Sequence, residues 1–205
     1  MFENRTEAGI LLAKAVMDRE EGVFHSVLGV PRGGIVVAAP VANALGASLA
    51  PVHAIKIRAP QNPELAIGAV ANGIDPVLDS AWAMRLGRTD LQSCLETAMQ
   101  ELRARQRKYG QTSDIAGQRV VMVDDGAATG YTTMAAARSI RASGAKCLVV
   151  AVPVASPEAA AALQEEADVL VTLGIPKAFM AVGQFYRSFE PVSDEEVLRL
   201  LSAAS

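Results

Sequence analysis

A chain of 205 residues, 51% hydrophobic and 20% charged, can bury a full core and suits one domain over 1–205 better than two. A net charge of −3 and an isoelectric point near 5.5 give no sequence-independent reason to bind a polyanion, so nucleic acid is not an expected partner. Cys94 and Cys147 lie far apart and, with only two histidines in the chain, cannot make a zinc site; no run approaches the ~18 apolar residues of a membrane span. A cytoplasmic protein with reduced, packed thiols and no membrane partner is expected.

Apolar residues Ile10, Leu11, Ala13, Val16 and Met17 recur at helical spacing and predict a helix over 6–20 with Thr6 as its cap. A short apolar run over 26–30 ends at Pro31-Arg32-Gly33-Gly34, and an alanine- and valine-rich stretch over 35–45 stops at Gly46, which reads as strand, tight loop, helix. A second strand is predicted over 51–57. The stretch 58–76 holds three of the ten prolines and two glycines with little periodicity, and reads as a long mobile loop. Leu91, Cys94, Leu95, Ala98 and Leu102 make one stripe of a helix over 91–109. Its basic run Arg103, Arg105, Arg107 and Lys108 shares that helix with Glu96 and Glu101 and reads as a solvated face.

The second half alternates more cleanly: strand 119–124, a Gly/Thr loop, helix 132–143 stopped by Gly144, strand 146–153, helix 157–165 and strand 169–173. The tail carries a helix over 193–201 with a capping box from Ser193 to Glu196. Strands that are nearly continuous Val/Leu runs separated by helices predict an α/β fold, a parallel sheet covered on both faces, with ligands at the carboxyl ends of its strands. His25, His53, Trp82 and Met84 read as packing or surface residues.

The segment from Val120 to Thr132 joins a buried strand, two acids at its carboxyl end, and a small-residue loop that opens a helix. Unpaired backbone amides at a helix start, with the helix dipole behind them, bind anions, and Gly126 and Gly130 let that backbone close round a phosphate. Thr129, Thr132 and Thr133 add hydroxyl donors. Asp124 and Asp125 beside such a nest would repel the ligand unless they face hydrogen-bond donors, which a ribose diol provides. A P-loop would need a Gly-Lys-Ser/Thr ending and a dinucleotide fold G-x-G-x-x-G; neither occurs here.

This segment, with its hydrophobic strand, two acids, small residues and Thr-Gly-x-Thr in register, resembles the phosphoribosyl pyrophosphate signature of type I phosphoribosyltransferases. The resemblance covers about 6–200, and is nearest to a stand-alone subgroup whose acceptors are poorly defined. It implies a core over about 20–173, a flexible loop over about 58–76, and a small C-terminal hood over about 174–191 followed by the terminal helix. It further implies that Asp124 and Asp125 hold the ribose hydroxyls, and that Gly126 and the run Ala127, Ala128, Thr129, Gly130, Tyr131 and Thr132 hold the 5-phosphate. Arg32, Gly33 and Gly34 would bind the pyrophosphate, and Lys56 and Arg58 would lead the catalytic loop. Mg2+ would be held mainly through the pyrophosphate ligand, near Asp124 and Asp125, and a homodimer is left open.

Two departures narrow the chemistry. Where the 6-oxopurine branch places an additional acid before Thr-Gly, this chain has Ala128, so that general base is missing and an acceptor that is already anionic, or deprotonated by another group, is favoured. The hood stretch 175–183 offers Phe179 to stack on a base, with Phe185 and Tyr186 as alternatives, but Arg187 replaces a metal-supporting acid. The expected function is a transferase using phosphoribosyl pyrophosphate and a nucleobase or related acceptor, or the same pocket run in reverse. A regulator that senses the sugar phosphate and acts on a protein or nucleic-acid partner is the alternative, supported only by Arg103 to Lys108.

Overall fold

A computed structural model describes residues 1–203, the side chains of 63 and 64 excepted. The chain opens with α1 (Arg5–Arg19) and continues through β1 (Ser26–Gly29), α2 (Gly33–Leu45), β2 (Ser48–Pro51), β3 (Ala54–Ala59), β4 (Asn62–Ala71) and β5 (Val77–Leu78). Two helices follow, α3 (Ser80–Arg85) and α4 (Arg88–Tyr109), and then β6 (Arg119–Val123), α5 (Tyr131–Ala142), β7 (Cys147–Val154), α6 (Pro157–Glu166), β8 (Val169–Gly174) and α7 (Asp194–Ala203).

The core is a parallel sheet of order β2-β1-β6-β7-β8. Alternate residues of each strand serve opposite faces. Val27, Val121, Val149 and Val171 pack with α1, α2 and α7 through Leu12, Ile35, Val41 and Val197. Leu28, Met122, Leu148 and Val150 pack with α5 and α6 through Met134, Ile140 and Leu163. The α/β class with helices on both faces is therefore as the Val/Leu runs predict. Among the described residues no helix is long and apolar enough to cross a membrane.

Three local expectations are corrected. Asn4, not Thr6, caps α1, its side chain accepting from the Glu7 amide at 3.0 Å. The buried stripe of α1 is Ala8, Gly9, Leu12, Ala13 and Val16, while Ile10, Leu11 and Met17 are exposed. The reason is close helix packing: a Cβ on Gly9 would lie 2.4 Å from Pro40 Cγ and 2.4 Å from the Val37 carbonyl on α2, so small residues set the contact face. Lastly, the single strand predicted over 51–57 is two: β2 ends at Pro51 on the sheet edge, where a missing ladder donor is tolerated, and β3 starts a separate sheet.

That separate sheet replaces the long loop expected over 58–76. β3 pairs antiparallel with β4, and β4 with β5, with register shifts beside Arg58. Ile55, Ile57 and Ala59 alternate inward with Ile67 and Val70 against Ala98 and Leu102 of α4, leaving Lys56 and Arg58 exposed. Gly68 allows β5 to approach, since a Cβ there would lie 2.3 Å from the Val77 carbonyl. Only β3 alternates, with Ile55, Ile57 and Ala59 buried and Lys56 and Arg58 exposed, whereas 67–71 of β4 are buried throughout, so no period-two pattern marks the hairpin in the sequence. The terminal helix runs as predicted, with Ser193 Oγ accepting from the Glu196 amide at 3.2 Å; the last two residues of the expected domain lie outside the described residues.

Candidate active site

The carboxyl ends of β1 and β6 lie side by side, joined where the Val30 amide donates to the Val123 carbonyl at 2.9 Å. The loops leaving these two strands thus meet, which brings Gly33 and Gly34 against Asp124 and Asp125. The contact is tight: a Cβ on Gly33 would lie 1.9 Å from Asp125 Oδ2, and one on Gly34 2.8 Å from the Val123 carbonyl. The Pro31–Arg32 peptide bond in this loop is cis.

Asp124 is buried. Its Oδ1 accepts from the Asp125 amide at 2.9 Å and its Oδ2 from the Thr133 hydroxyl at 3.1 Å. Burial and then the neighbouring Asp125 charge push its carboxyl up to about 7, against the pull of these hydrogen bonds and of Lys56. Burial raises Asp125 too, opposed chiefly by the Arg5 guanidinium, whose Nε donates to Oδ2 at 2.8 Å. The backbone of Asp125 is fixed as well, because its carbonyl accepts from the Tyr186 hydroxyl at 2.6 Å.

Beyond the acids, the small-residue loop is anchored from outside. The Ala127 amide donates to Val154, the Ser156 amide to Ala127, and the Ser156 hydroxyl to the Ala128 carbonyl at 2.7 Å. Gly130 takes φ 76°, a left-handed conformation costly for other residues, and turns the chain into α5. Among the described residues the amides of Thr129, Gly130, Tyr131 and Thr132 donate to no protein acceptor, and Ala128 and Thr129 are exposed. Free amides at a helix N-terminus, with the helix dipole behind them, can bind an anion. The Tyr131 side chain turns away from it, its hydroxyl donating to Asp79 Oδ2 at 2.7 Å, so only its amide serves the loop.

The expected cations stand around this centre in different states. Lys56 is exposed on β3 and its charge reaches both acids. Arg32 is exposed with Nη1 3.8 Å from Asp194 of α7. Arg58 Nη1 donates to Glu101 on α4 at 2.9 Å. Lys56 and Arg58 also line a cleft of about 310 Å³ with Ser93, Cys94 and Thr97. Of the basic run, Arg103 and Arg107 are solvated as expected. Arg105 instead donates to Glu101 and to the Pro31 carbonyl, and Lys108 and the Tyr109 hydroxyl to Asp194.

In the hood, Phe179 packs on Phe185 with ring centroids 5.0 Å apart and stays partly exposed, while Tyr186 is buried and committed to Asp125. Gln184 shapes the hood loop, accepting from the Met180 and Ala181 amides and donating to the Ala178 carbonyl. The hood sits on the acidic loop: a Cβ on Gly126 would lie 2.5 Å from Val182 Cγ1.

Sequence reasoning misses Arg5, Arg105 and Ser156. For Ser156 a signal existed, the Ser-Pro start of α6, where its hydroxyl also accepts from the Ala159 amide. For Arg5, separated from Asp125 by 120 positions, no local signal exists.

Residues 7–188 match the phosphoribosyl transferase domain family. Two curated proteins of Mycobacterium tuberculosis, from strains CDC 1551 / Oshkosh and H37Rv, both provisionally named phosphoribosyl transferases, are each 37% identical over 209 residues. Each alignment covers 100% of this chain and 47% of the relative, so the chain spans about half the length of the curated proteins it matches. The crystal structure of TT1426 from Thermus thermophilus superposes with a TM-score of 0.80 at 40% identity, covering 100% of this chain and 99% of that one.

Proposed function

Because the chain belongs to the phosphoribosyl transferase domain family, we propose that it binds 5-phosphoribosyl 1-pyrophosphate with Mg2+ and transfers the phosphoribosyl group to a nucleobase or related nitrogenous acceptor, or runs that exchange in reverse. One observation carries this reading. A pair of carboxylates, Asp124 buried and Asp125 partly buried, lies between a loop of free amides at a helix start and a second, close-packed glycine loop, each at the carboxyl end of a parallel strand. A sugar carrying a phosphate at one end and a pyrophosphate at the other matches that order of donors and acceptors.

In this reading Asp124 and Asp125 accept from the ribose hydroxyls, and the free amides of 129–132 with the Thr129 and Thr132 hydroxyls donate to the 5-phosphate, the Ala127 amide being committed to Val154. Arg32, Gly33 and Gly34 face the pyrophosphate. Breaking the anomeric C–O bond develops positive charge on the sugar and negative charge on the leaving group, so Lys56 and Arg32 stabilise the departing pyrophosphate. Arg58 and the β3–β4 hairpin shield the centre from water, which would otherwise trap the sugar cation. Asp124 and Asp125 are the carboxylates that would lie beside a Mg2+ held mainly through the ligand's own oxygens, and the ion would supply Lewis-acid neutralisation of the leaving group. Phe179 is the stacking surface for the acceptor.

Calorimetric titration with phosphoribosyl pyrophosphate and Mg2+, followed by a screen of bases for pyrophosphate release, tests the proposal. Binding with release names the acceptor, and no binding removes the reading. Binding without release for every base tried would favour the regulatory alternative, whose basic patch is reduced to Arg103 and Arg107 now that Arg105 and Lys108 have internal partners.

A further inference from the structure

We propose that Arg5 is a positioning residue of the acidic pair, acting through Asp125 to present a fixed carboxylate to the sugar; the inference rests on the phosphoribosyl reading of that pair. Arg5 is held on three sides. Nε donates to Asp125 Oδ2 at 2.8 Å, Nη1 donates to the Glu190 carbonyl at 2.9 Å, and the guanidinium carbon lies 3.7 Å from the centroid of the Phe189 ring. Both partners of the ion pair are withdrawn from solvent, with side chains 11% and 18% exposed, so this is not a loose surface contact.

The place of the pair in the site is as informative as its geometry. A Cβ on Gly33 would lie 1.9 Å from Asp125 Oδ2 and 2.8 Å from Arg5 Nε, so the guanidinium and carboxylate occupy the space left by the missing side chain under the glycine loop. The other charged or titratable groups around Asp125 are Asp124 from its own loop, Lys56 from β3 and Tyr186 from the hood. Among the described residues Arg5 is the one that makes an ion pair with it.

Arg5 is itself tied to the hood by the residues before it. The Phe2 amide donates to Phe185 at 2.7 Å, the Arg187 amide to Phe2 at 2.8 Å, and the Ser188 amide to Glu3 at 2.9 Å, while the Phe2 ring packs on Tyr186. Residues 2–5 therefore strap the hood to the acid that the sugar would meet. A side chain that only glued the N-terminus down would have no need to commit its Nε to Asp125.

The test compares two probes that report on different halves of the site, ribose 5-phosphate and inorganic pyrophosphate, titrated calorimetrically into the wild type, Arg5→Gln, Arg5→Lys, Asp125→Asn and the Arg5→Gln/Asp125→Asn double variant. Arg5→Gln should weaken ribose 5-phosphate about tenfold and leave pyrophosphate within about twofold, with Arg5→Lys in between. The double variant should bind ribose 5-phosphate no worse than Asp125→Asn alone, because Arg5 acts through that carboxylate. Equal weakening of both probes, no weakening, or losses that add in the double variant would overturn the inference. Should the wild type bind no ribose 5-phosphate, the phosphoribosyl reading fails separately and melting temperatures of the same variants decide. Recovery of the Arg5→Gln loss on adding Asp125→Asn keeps Arg5 as the positioner of Asp125, and additive losses dismiss it.

Discussion

Thr133 donates its hydroxyl to Asp124 Oδ2 at 3.1 Å from two residues inside α5, so the helix that follows the small-residue loop also grips the acid that precedes it. The carboxyl it grips is pushed from an ordinary 3.8 up to about 7 by burial and by Asp125. An acid whose folded value is raised keeps a proton in the folded state that the unfolded chain has released. Stability therefore falls as the pH rises from about 4 to about 7 and is level above that. Asp124→Asn should remove this slope and stabilise the protein at pH 8, by at most on the order of 4 kcal/mol. Melting temperatures of both proteins at pH 5 and pH 8 check it; parallel changes would contradict the assignment. Ribose 5-phosphate affinity of the wild type should rise over pH 6 to 8, and less so in the variant.

Glu101 joins two parts of the site that the sequence keeps apart. One carboxylate oxygen accepts from Arg58 on the hairpin at 2.9 Å and the other from Arg105 at 2.8 Å, while Arg105 also donates to the Pro31 carbonyl at 2.9 Å. Glu101→Gln should therefore loosen the hairpin, with amide exchange in β3 and β4 accelerating. Partly exposed pairs of this kind contribute only about 0–1 kcal/mol each, so the melting temperature should move little. Hydrogen exchange that stays unchanged over 54–71 would show that apolar packing on Ala98 and Leu102 alone holds the hairpin in place.

The contrast between these two relationships explains what was legible in the sequence. Asp124 and Thr133 are nine positions apart in a strand–loop–helix unit, and local pattern was enough to place both at the site, although the Thr133 hydroxyl, expected to face a phosphate, is buried and donates to Asp124 instead. The alternating sheet was legible for the same reason, since each βα step is local. The hairpin over 54–71 was hidden because Pro60, Gly68 and Gly73 argue for irregular structure, whereas its stability comes from α4, about 30 residues on in sequence. The buried face of α1 was misjudged because hydrophobicity ranks Ile10 and Leu11 above Gly9, although close packing on Pro40 selects the smallest residue. Arg5 had no signature at all: its role exists only once the two ends of the chain meet.

Gly33 yields a prediction that separates space from flexibility. Gly33→Ala places a methyl 1.9 Å from Asp125 Oδ2, so either the acid or the loop must shift. Overpacking of this kind costs about 1–3 kcal/mol, and sugar binding should be lost with it. Gly174→Ala is the control, since a Cβ there meets nothing within 4 Å; it should stay within about 0.5 kcal/mol of wild type. Full ribose 5-phosphate affinity in Gly33→Ala would show that the Asp125 position is not needed for binding.

Lys56 and Arg32 should divide binding from turnover. Among the described residues Lys56 makes no ion pair, being exposed while its charge reaches Asp124 and Asp125, and Arg32 makes a long one, 3.8 Å, to an Asp194 that already accepts from Lys108 and Tyr109. Both are free to answer charge that develops on the pyrophosphate, and that charge is larger in the transition state than in the bound substrate. Lys56→Ala and Arg32→Ala should then lower the rate of pyrophosphate release about a hundredfold while changing ribose 5-phosphate affinity less than about threefold. Stopped-flow detection of released pyrophosphate, with calorimetry on the same variants, gives the two numbers. Losses of equal size in both would make these residues binding groups for the ground state, and would move the burden of leaving-group stabilisation to Arg58 and the glycine loop.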